Sequence, residues 1–174
     1  MANSAGILLY RHAPALEVFV GHMGGPFWAR KDARAWSLPK GLVEGADSLM
    51  ETALREFAEE LGVPAPSVPY ASLGEFRYSS GKIVAVFAGR FDGVLEPAPG
   101  SPVTLEWPRG SGRSITFPEM DRFEWCTLEV ARTRLVAGQV AAVDALVALV
   151  ALVTPPAPPP LPQPPSPQRP SPQR

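Results

Sequence analysis

The segment between Ser48 and Pro64 specifies an amphipathic helix with both ends fixed, and this helix constrains the fold most strongly. Its apolar side chains recur at helical spacing and form one stripe: Met50, Leu54, Phe57 and Leu61. Ser48 with Glu51 three residues later is typical of a capping box, and Gly62 followed by Pro64 is typical of a helix end. The apolar stripe therefore faces a core built by the rest of the chain.

Short β-favouring runs lie on both sides of this helix. They occupy residues 7–10, 18–20, 36–38, 73–78, 83–91 and 123–127, and residues 79–82 predict a hairpin between two of them. We expect a loop at 21–35, a turn that opens at Lys40, and mostly loop at 93–112 with a short strand at 104–107. A helix over 128–153 is predicted to weaken near Gly138. This order predicts an α/β layered domain.

The end of the chain has a different composition from the rest. Residues 154–174 contain 11 of the 22 prolines. We therefore predict one domain over residues 1–153, followed by a disordered proline-rich tail over residues 154–174. Two interpretations of the tail remain open, an extension without a partner and a polyproline segment that docks into aromatic grooves.

Charge and cysteine content exclude several classes of protein. The formal net charge of −1 gives no broad basic surface for nucleic acid, so no nucleic-acid partner is expected. Cys126 is the single cysteine, which excludes an internal disulfide and a multi-cysteine zinc site. No export signal is visible, and the apolar segment 140–153 is shorter than a membrane span of about 20 residues. We expect a cytoplasmic protein without a membrane partner.

The predicted helix also carries a cluster of acidic side chains beside its apolar stripe. Glu56, Glu59 and Glu60 fall within an arc of about 100° on a helical wheel. Such like charges repel, so either water tolerates them on a solvated helix face or a cation compensates them. Hard divalent cations such as Mg²⁺ bind carboxylate oxygens and share their remaining sites with water and substrate phosphates. The cluster is consistent with a site for Mg²⁺ and phosphate.

Read together, Gly41, Asp47, Arg55–Phe57, Glu59, Glu60, Gly62 and Val63 resemble the Nudix box, whose pattern is G-x5-E-x7-R-E-U-x-E-E-x-G-U with U a bulky aliphatic residue. Asp47 stands where the pattern has Glu, and Phe57 stands where it has an aliphatic side chain. The segments WSLPKG at 36–41 and FPEMDRFEW at 117–125 also resemble bacterial Nudix proteins of the predicted pyrophosphohydrolase type. The resemblance covers roughly residues 4–150.

The resemblance implies an α/β/α sandwich with a mixed central sheet. It also implies that Glu56, Glu59, Glu60 and the carbonyl of Gly41 bind Mg²⁺ or Mn²⁺, and that Arg55 orients the loop against the helix. The general base has no fixed position in this family, so Glu59, Glu60 and Glu119 remain candidates. For phosphate we favour Lys40, with Arg34 and Lys82 as further candidates; the aromatic candidates for stacking on a nucleobase are Trp28, Trp36, Tyr78 and Trp107.

The implied function is metal-dependent hydrolysis of a nucleoside diphosphate linked to another group. The Pro39–Lys40–Gly41 lead-in resembles enzymes acting on dinucleoside polyphosphates, which makes diadenosine tetraphosphate the leading substrate. Two alternatives remain: a nucleoside triphosphate pyrophosphohydrolase that sanitises the nucleotide pool, and a non-catalytic nucleotide-binding domain. The apolar segment 140–153 fits both a completed core and the surface of a homodimer.

Overall fold

The structure is a computed structural model, and it describes residues 2–98 and 100–153. Within these residues the strands are β1 (Ser4–His12), β2 (Leu16–Met23), β3 (Trp36–Ser37), β4 (Lys40–Leu42), β5 (Tyr70–Arg77), β6 (Ile83–Arg90), β7 (Pro102–Glu106), β8 (Ser114–Pro118) and β9 (Met120–Thr127). The helices are α1 (Leu49–Leu61), α2 (Leu128–Arg134) and α3 (Val140–Val153), with a 3₁₀ turn at Ala137–Gln139. The predicted tail at 154–174 lies outside the described residues.

The main sheet is mixed. Its central order is β3-β2-β1-β6-β5, with β4 paired to β1 and β9 paired to β2. Strands β1 and β6 are parallel, and the other pairings in this sheet are antiparallel. Strands β7 and β8 form a separate antiparallel hairpin.

Helices cover both faces of the main sheet. Ile7 of β1 and Phe19 of β2 pack with Phe57 of α1 in one buried cluster. Leu8, the next residue of β1, packs on the opposite face with Leu146 of α3. The side chains of a strand alternate between its two faces, so each central strand supplies both cores. The mixed sheet between helical layers confirms the predicted α/β/α arrangement.

Helix α1 begins and ends as its sequence predicts. Ser48 is the N-cap: its hydroxyl accepts a hydrogen bond from the Glu51 backbone, while the Glu51 carboxylate accepts one from the Ser48 N–H. Gly62 ends the helix at φ 66°, a left-handed conformation that glycine adopts without steric cost. The predicted helix over 128–153 is also interrupted as expected, since the 3₁₀ turn contains Gly138.

Three local predictions are wrong. Residues 21–23 continue β2 because β9 pairs along them, and Lys40–Leu42 forms a strand against β1 where a turn was expected. Strand β8 was missed, and its partner β7 begins at Pro102 and ends at Glu106. Pairing with distant strands decides the first two cases, and the third is a hairpin between neighbouring strands; the local sequence pattern reports neither kind of pairing. Among the described helices, none is both long enough and apolar enough for a transmembrane span.

Candidate active site

Glu60 is the most buried carboxylate of the acidic cluster. It lies on the side of α1 that faces the sheet and is only 2% exposed. One carboxylate oxygen, Oε2, accepts a hydrogen bond from the Lys40 backbone N–H at 3.1 Å, while Oε1 is buried without a hydrogen-bond partner. Burial raises the pKa of Glu60 to about 8; the Lys40 charge opposes this rise, and Glu119 and Glu56 add to it. This unpaired oxygen is a costly feature for a fold to keep.

Glu56 lies one helical turn before Glu60 and packs against Gly41. A Cβ added at Gly41 would overlap the Glu56 carboxylate, so a side chain at this position would displace the carboxylate. Burial raises the pKa of Glu56, Arg55 lowers it, and Glu59 and Glu119 raise it further. The observed position of the Glu56 carboxylate therefore depends on the absence of a side chain at residue 41.

Arg55 joins the loop before α1 to the carboxylates on the helix. Its guanidinium donates to the Leu42 carbonyl at 2.9 Å and contacts Glu56 at 2.8 Å and Glu59 at 3.1 Å. Asp47 lies 3.5 Å from the Arg55 Nε, within ion-pair distance, but the Nε itself has no hydrogen-bond partner among the described residues. Glu59 is about half exposed and borders an open depression of about 560 Å³.

Glu119, Lys40 and Lys82 come to the cluster from three other places in the chain. Burial lowers the pKa of the Lys82 ammonium and Lys40 lowers it further, whereas Glu60, Glu119 and Glu56 oppose this. Mutual effects of this kind require the groups to lie close together. The β5–β6 turn and the β8–β9 connection therefore bring a lysine and a carboxylate to the same end of the sheet as α1.

Arg34 lies elsewhere. Its guanidinium donates to the carbonyls of Arg132 and Leu135, at 2.8 and 3.0 Å, at the C-terminal end of α2. Its backbone has φ 62°, which is uncommon for a residue other than glycine. These contacts join the loop after β2 to α2, so we do not include Arg34 in the site.

The four aromatic candidates for base stacking divide into two in the core and two near a cleft beside Glu119. Trp36 is fully buried, and Tyr78 packs with it in the core on the α3 side of the sheet. Trp28 instead lines a cleft beside Glu119, and Trp107 stacks edge-on against Phe27 with ring centroids 4.4 Å apart. Of the four candidates, Trp28 thus lines the cleft beside Glu119, and Trp107 contacts Phe27 of the same lining.

The residues of this cluster fit a hard divalent cation in their chemistry. In residues 2–98 and 100–153, no three acidic, histidine or cysteine side chains are already gathered as a metal site. The candidate donors are nevertheless all oxygens, which Mg²⁺ and Mn²⁺ prefer. The buried Glu60 Oε1 lacks a partner, and the Gly41 backbone leaves space that the Glu56 carboxylate uses.

Sequence reasoning missed how differently the three helix carboxylates are buried. Glu60 is almost fully buried, Glu56 has a side chain 12% exposed, and Glu59 has one 47% exposed. A signal was present, since Glu60 follows Phe57 by three residues and precedes Leu61, which places it at the margin of the apolar stripe. The Leu42 carbonyl as a partner of Arg55 had no comparable signal.

Comparison with known proteins identifies the family and the fold of the chain. The sequence model of the NUDIX domain matches residues 2–146. Three solved structures share the fold: a Caenorhabditis elegans Ap4A hydrolase (19% identity, 85% of this chain and 98% of that chain, TM-score 0.61), the Mycobacterium smegmatis Nudix hydrolase RenU (18%, 87% and 88%, 0.58) and the NUDIX domain of Shewanella oneidensis NrtR with ADP ribose (17%, 86% and 88%, 0.57). A search of curated proteins found no match.

The chain belongs to the Nudix family, because the family match covers most of its length. Membership confirms the prediction of a hydrolase that acts on phosphoanhydride bonds. The solved structures share less than 20% identity with the chain, so they establish the fold and leave the substrate open.

Proposed function

We propose that this protein hydrolyses a nucleoside diphosphate linked to another group, with a dinucleoside polyphosphate such as diadenosine tetraphosphate as the leading substrate and Mg²⁺ or Mn²⁺ as cofactor. The observation that carries the proposal is the buried, unpaired Glu60 Oε1 beside the Glu56–Gly41 contact. The substrate choice is supported by the Pro39–Lys40–Gly41 lead-in and by the likeness to a C. elegans protein named as an Ap4A hydrolase.

The cation would be held by Glu56, Glu59, Glu60 and the Gly41 carbonyl. When bound, such a cation supplies charge neutralisation at phosphate oxygens and makes water more acidic. Arg55 positions two of the carboxylates through its ion pairs with Glu56 and Glu59.

The remaining charged groups would serve the phosphates and the attacking water. Lys40 and Lys82 would bind phosphate oxygens, since both ammonium groups interact with the Glu60 carboxylate. Glu119 is the first candidate to accept the proton of the attacking water, because it lies near Glu56 and Glu60 without being one of the proposed metal ligands. Glu59 and Glu60 are the other candidates for this proton transfer.

The test is product analysis with a panel of diadenosine tetraphosphate, nucleoside triphosphates and ADP-ribose, each with Mg²⁺, Mn²⁺ or chelator. Cleavage should require a divalent cation. Its rate should fall by about 100-fold or more in Glu59→Gln, because that change replaces a negatively charged carboxylate ligand of the cation with a neutral amide. Glu75→Gln, an exposed change on β5, is the control and should keep the native rate. A native protein that cleaves no member of the panel would contradict the proposal.

The products also separate the alternatives. Diadenosine tetraphosphate should yield ATP and AMP, whereas a nucleoside triphosphate pyrophosphohydrolase would release pyrophosphate and a monophosphate. ADP-ribose binding without turnover would favour a non-catalytic nucleotide-binding domain; ADP-ribose is included because the NrtR NUDIX domain was solved in complex with it.

We propose further that catalysis needs no residue beyond 153. Removing residues 154–174 should leave kcat/KM within about two-fold of the native value, and a larger loss would contradict the proposed domain boundary. A cytoplasmic location and a homodimer remain predictions from the sequence.

A further inference from the structure

The hairpin β7–β8 and the loop after β2 enclose a second cleft, which we call the aromatic cleft. Its volume is about 210 Å³, and the residues that matter in its lining are Phe27, Trp28, Val103, Leu105, Phe117 and Glu119. Glu119 is the one charged residue of the full lining within the described part of the chain. The cleft is therefore apolar along its walls and acidic at one side.

The hairpin has one apolar and one polar face. Val103 pairs directly with Phe117 across the two strands, and Thr104 pairs with Thr116, whose hydroxyls lie 2.8 Å apart. The threonines are exposed, whereas Val103 and Phe117 are half-buried and line the cleft. An isolated two-stranded hairpin is only marginally stable in water, so this one depends on what its apolar face contacts.

Two consecutive glycines bring the hairpin against the loop. A Cβ at Gly24 would overlap the Pro118 carbonyl, and a Cβ at Gly25 would overlap the Phe117 ring. The Gly24 N–H also donates to the Glu119 carbonyl at 2.8 Å. These contacts of Gly24 and Gly25 fix both the Phe117 wall of the cleft and the position of Glu119.

Glu119 connects the aromatic cleft to the carboxylates of α1. It lines the cleft, and its charge raises the pKa of both Glu56 and Glu60. A ligand that occupies the cleft and extends past Glu119 therefore arrives at the candidate metal and phosphate site.

The size and charge of the cleft select one part of such a ligand. Pockets for drug-sized ligands have volumes of about 300 to 1,000 Å³, so about 210 Å³ fits a planar ring system better than a whole nucleotide. Glu119 would repel a phosphate, whereas a neutral ring can stack on aromatic walls. The phosphates then lie beyond Glu119, toward Lys40 and Lys82.

We propose that the aromatic cleft binds the nucleobase of the substrate, held between the Phe27–Trp28 loop and Phe117 of β8. The inference rests on the proposed function, since it assigns the base subsite of the same active site. It makes the β7–β8 hairpin a specificity element, separate from the carboxylates that would bind metal.

The test is calorimetric binding of AMP and of ribose 5-phosphate, its base-free counterpart, to the full chain without divalent cation. AMP should bind at least about ten-fold more tightly than ribose 5-phosphate. Phe27→Ala and Phe117→Leu should weaken AMP binding by about five-fold or more and leave ribose 5-phosphate unchanged, because stacking on an aromatic side chain is lost. Phe27 is 49% exposed, so its removal spares the core.

The matched control is Phe76→Leu on β5, which lies outside the lining of the aromatic cleft and should bind AMP normally. Equal binding of AMP and ribose 5-phosphate, or native AMP binding in both cleft variants, would overturn the inference. Loss of AMP binding in these variants without turnover of any substrate would uphold the cleft and contradict the proposed hydrolase. Turnover of a substrate together with native AMP binding in both cleft variants would support the hydrolase and contradict the cleft proposal.

Discussion

Two polar side chains are buried on opposite faces of the main sheet, and they differ in how completely they are paired. Gln139 is 1% exposed; its amide oxygen accepts from the Leu38 N–H at 2.9 Å, and its amide nitrogen donates to Ser37 at 2.8 Å. Glu60 is 2% exposed and keeps one oxygen unpaired.

The difference separates structural from functional burial. The Gln139 amide joins the turn before α3 to the end of β3, so its hydrogen bonds offset the cost of burial. The hydrogen bond to Glu60 offsets only part of the cost of burying its carboxylate, and burial raises its pKa to about 8. A buried polar group that the fold leaves unpaired is a candidate for binding something from outside.

The largest effect is expected for Glu60→Gln. Gln retains the oxygen that accepts from the Lys40 N–H but removes the charge, so the fold should persist while the metal-dependent rate falls by about 100-fold or more. Steady-state kinetics with saturating Mg²⁺, together with circular dichroism, measures both quantities. A folded variant with near-native kcat would contradict a catalytic role for the buried Glu60 carboxylate.

A comparable loss is expected for Gly41→Ala. The added methyl group would overlap the Glu56 carboxylate, which must move or push β4 away from α1. A displacement of about 1 Å in a catalytic group can cost about 100-fold in rate. The same kinetic assay measures it, with Gly45→Ala, at a position with open space but φ 56°, as a control for loop strain alone. Equal losses in both variants would contradict a specific role for the Gly41–Glu56 contact.

Stability of the metal-free protein should fall as the pH rises from about 4.5 to about 8. The ordinary pKa of Glu60 is 4.5 and its folded value is about 8, so over this range the folded state holds a proton that the unfolded state has lost. Urea unfolding with chelator at several pH values measures the slope, which should be shallower in Glu60→Gln. An identical slope in both proteins would contradict the assignment of the shift to Glu60.

Gln139→Leu should lower stability and spare catalysis. The change leaves the Leu38 N–H unsatisfied, at a cost of about 1 to 3 kcal/mol, whereas the Ser37 hydroxyl keeps its hydrogen bond to the Leu38 carbonyl. Urea unfolding at fixed pH measures the loss, and kcat for each folded molecule should stay within about two-fold. A large fall in kcat without unfolding would show that the α3 side also serves the reaction.

The smallest effect is expected for Asp47→Glu, which restores the residue of the Nudix pattern. Asp47 already lies 3.5 Å from Arg55, and its side chain is 39% exposed. Exposed ion pairs contribute about 0 to 1 kcal/mol, so activity should change by no more than about five-fold. Kinetics of this variant beside the native chain measures the change, and a hundred-fold gain would show that Asp47 leaves the native site misassembled.

Much of this site could be predicted from the sequence because its parts are local. The capping box at Ser48, the helix end at Gly62 and the spacing of Arg55 relative to the carboxylates all lie within one turn–helix segment. Local spacing also predicted that Glu56 and Glu60 would share a side of α1.

The remaining features depend on contacts between distant segments. The burial of Glu60 and the binding of Arg34 to α2 follow from how α1 and α2 pack on the sheet. Strand β8 was missed for the same reason, since its apolar residues are matched by a partner strand and by the loop at Gly25. A sequence pattern identifies which residue types could form a site, but it does not predict which of them lie close together in the fold.

The most direct test of the central claim is calorimetric binding of Mn²⁺ to the native chain, Glu60→Gln and the control Glu75→Gln at pH 8.5, above the pKa of Glu60. If the unpaired Glu60 oxygen marks a cation site, native protein and control should bind Mn²⁺ alike and Glu60→Gln should bind it at least about ten-fold more weakly. Equal binding by all three proteins, or none by the native chain, would contradict the claim.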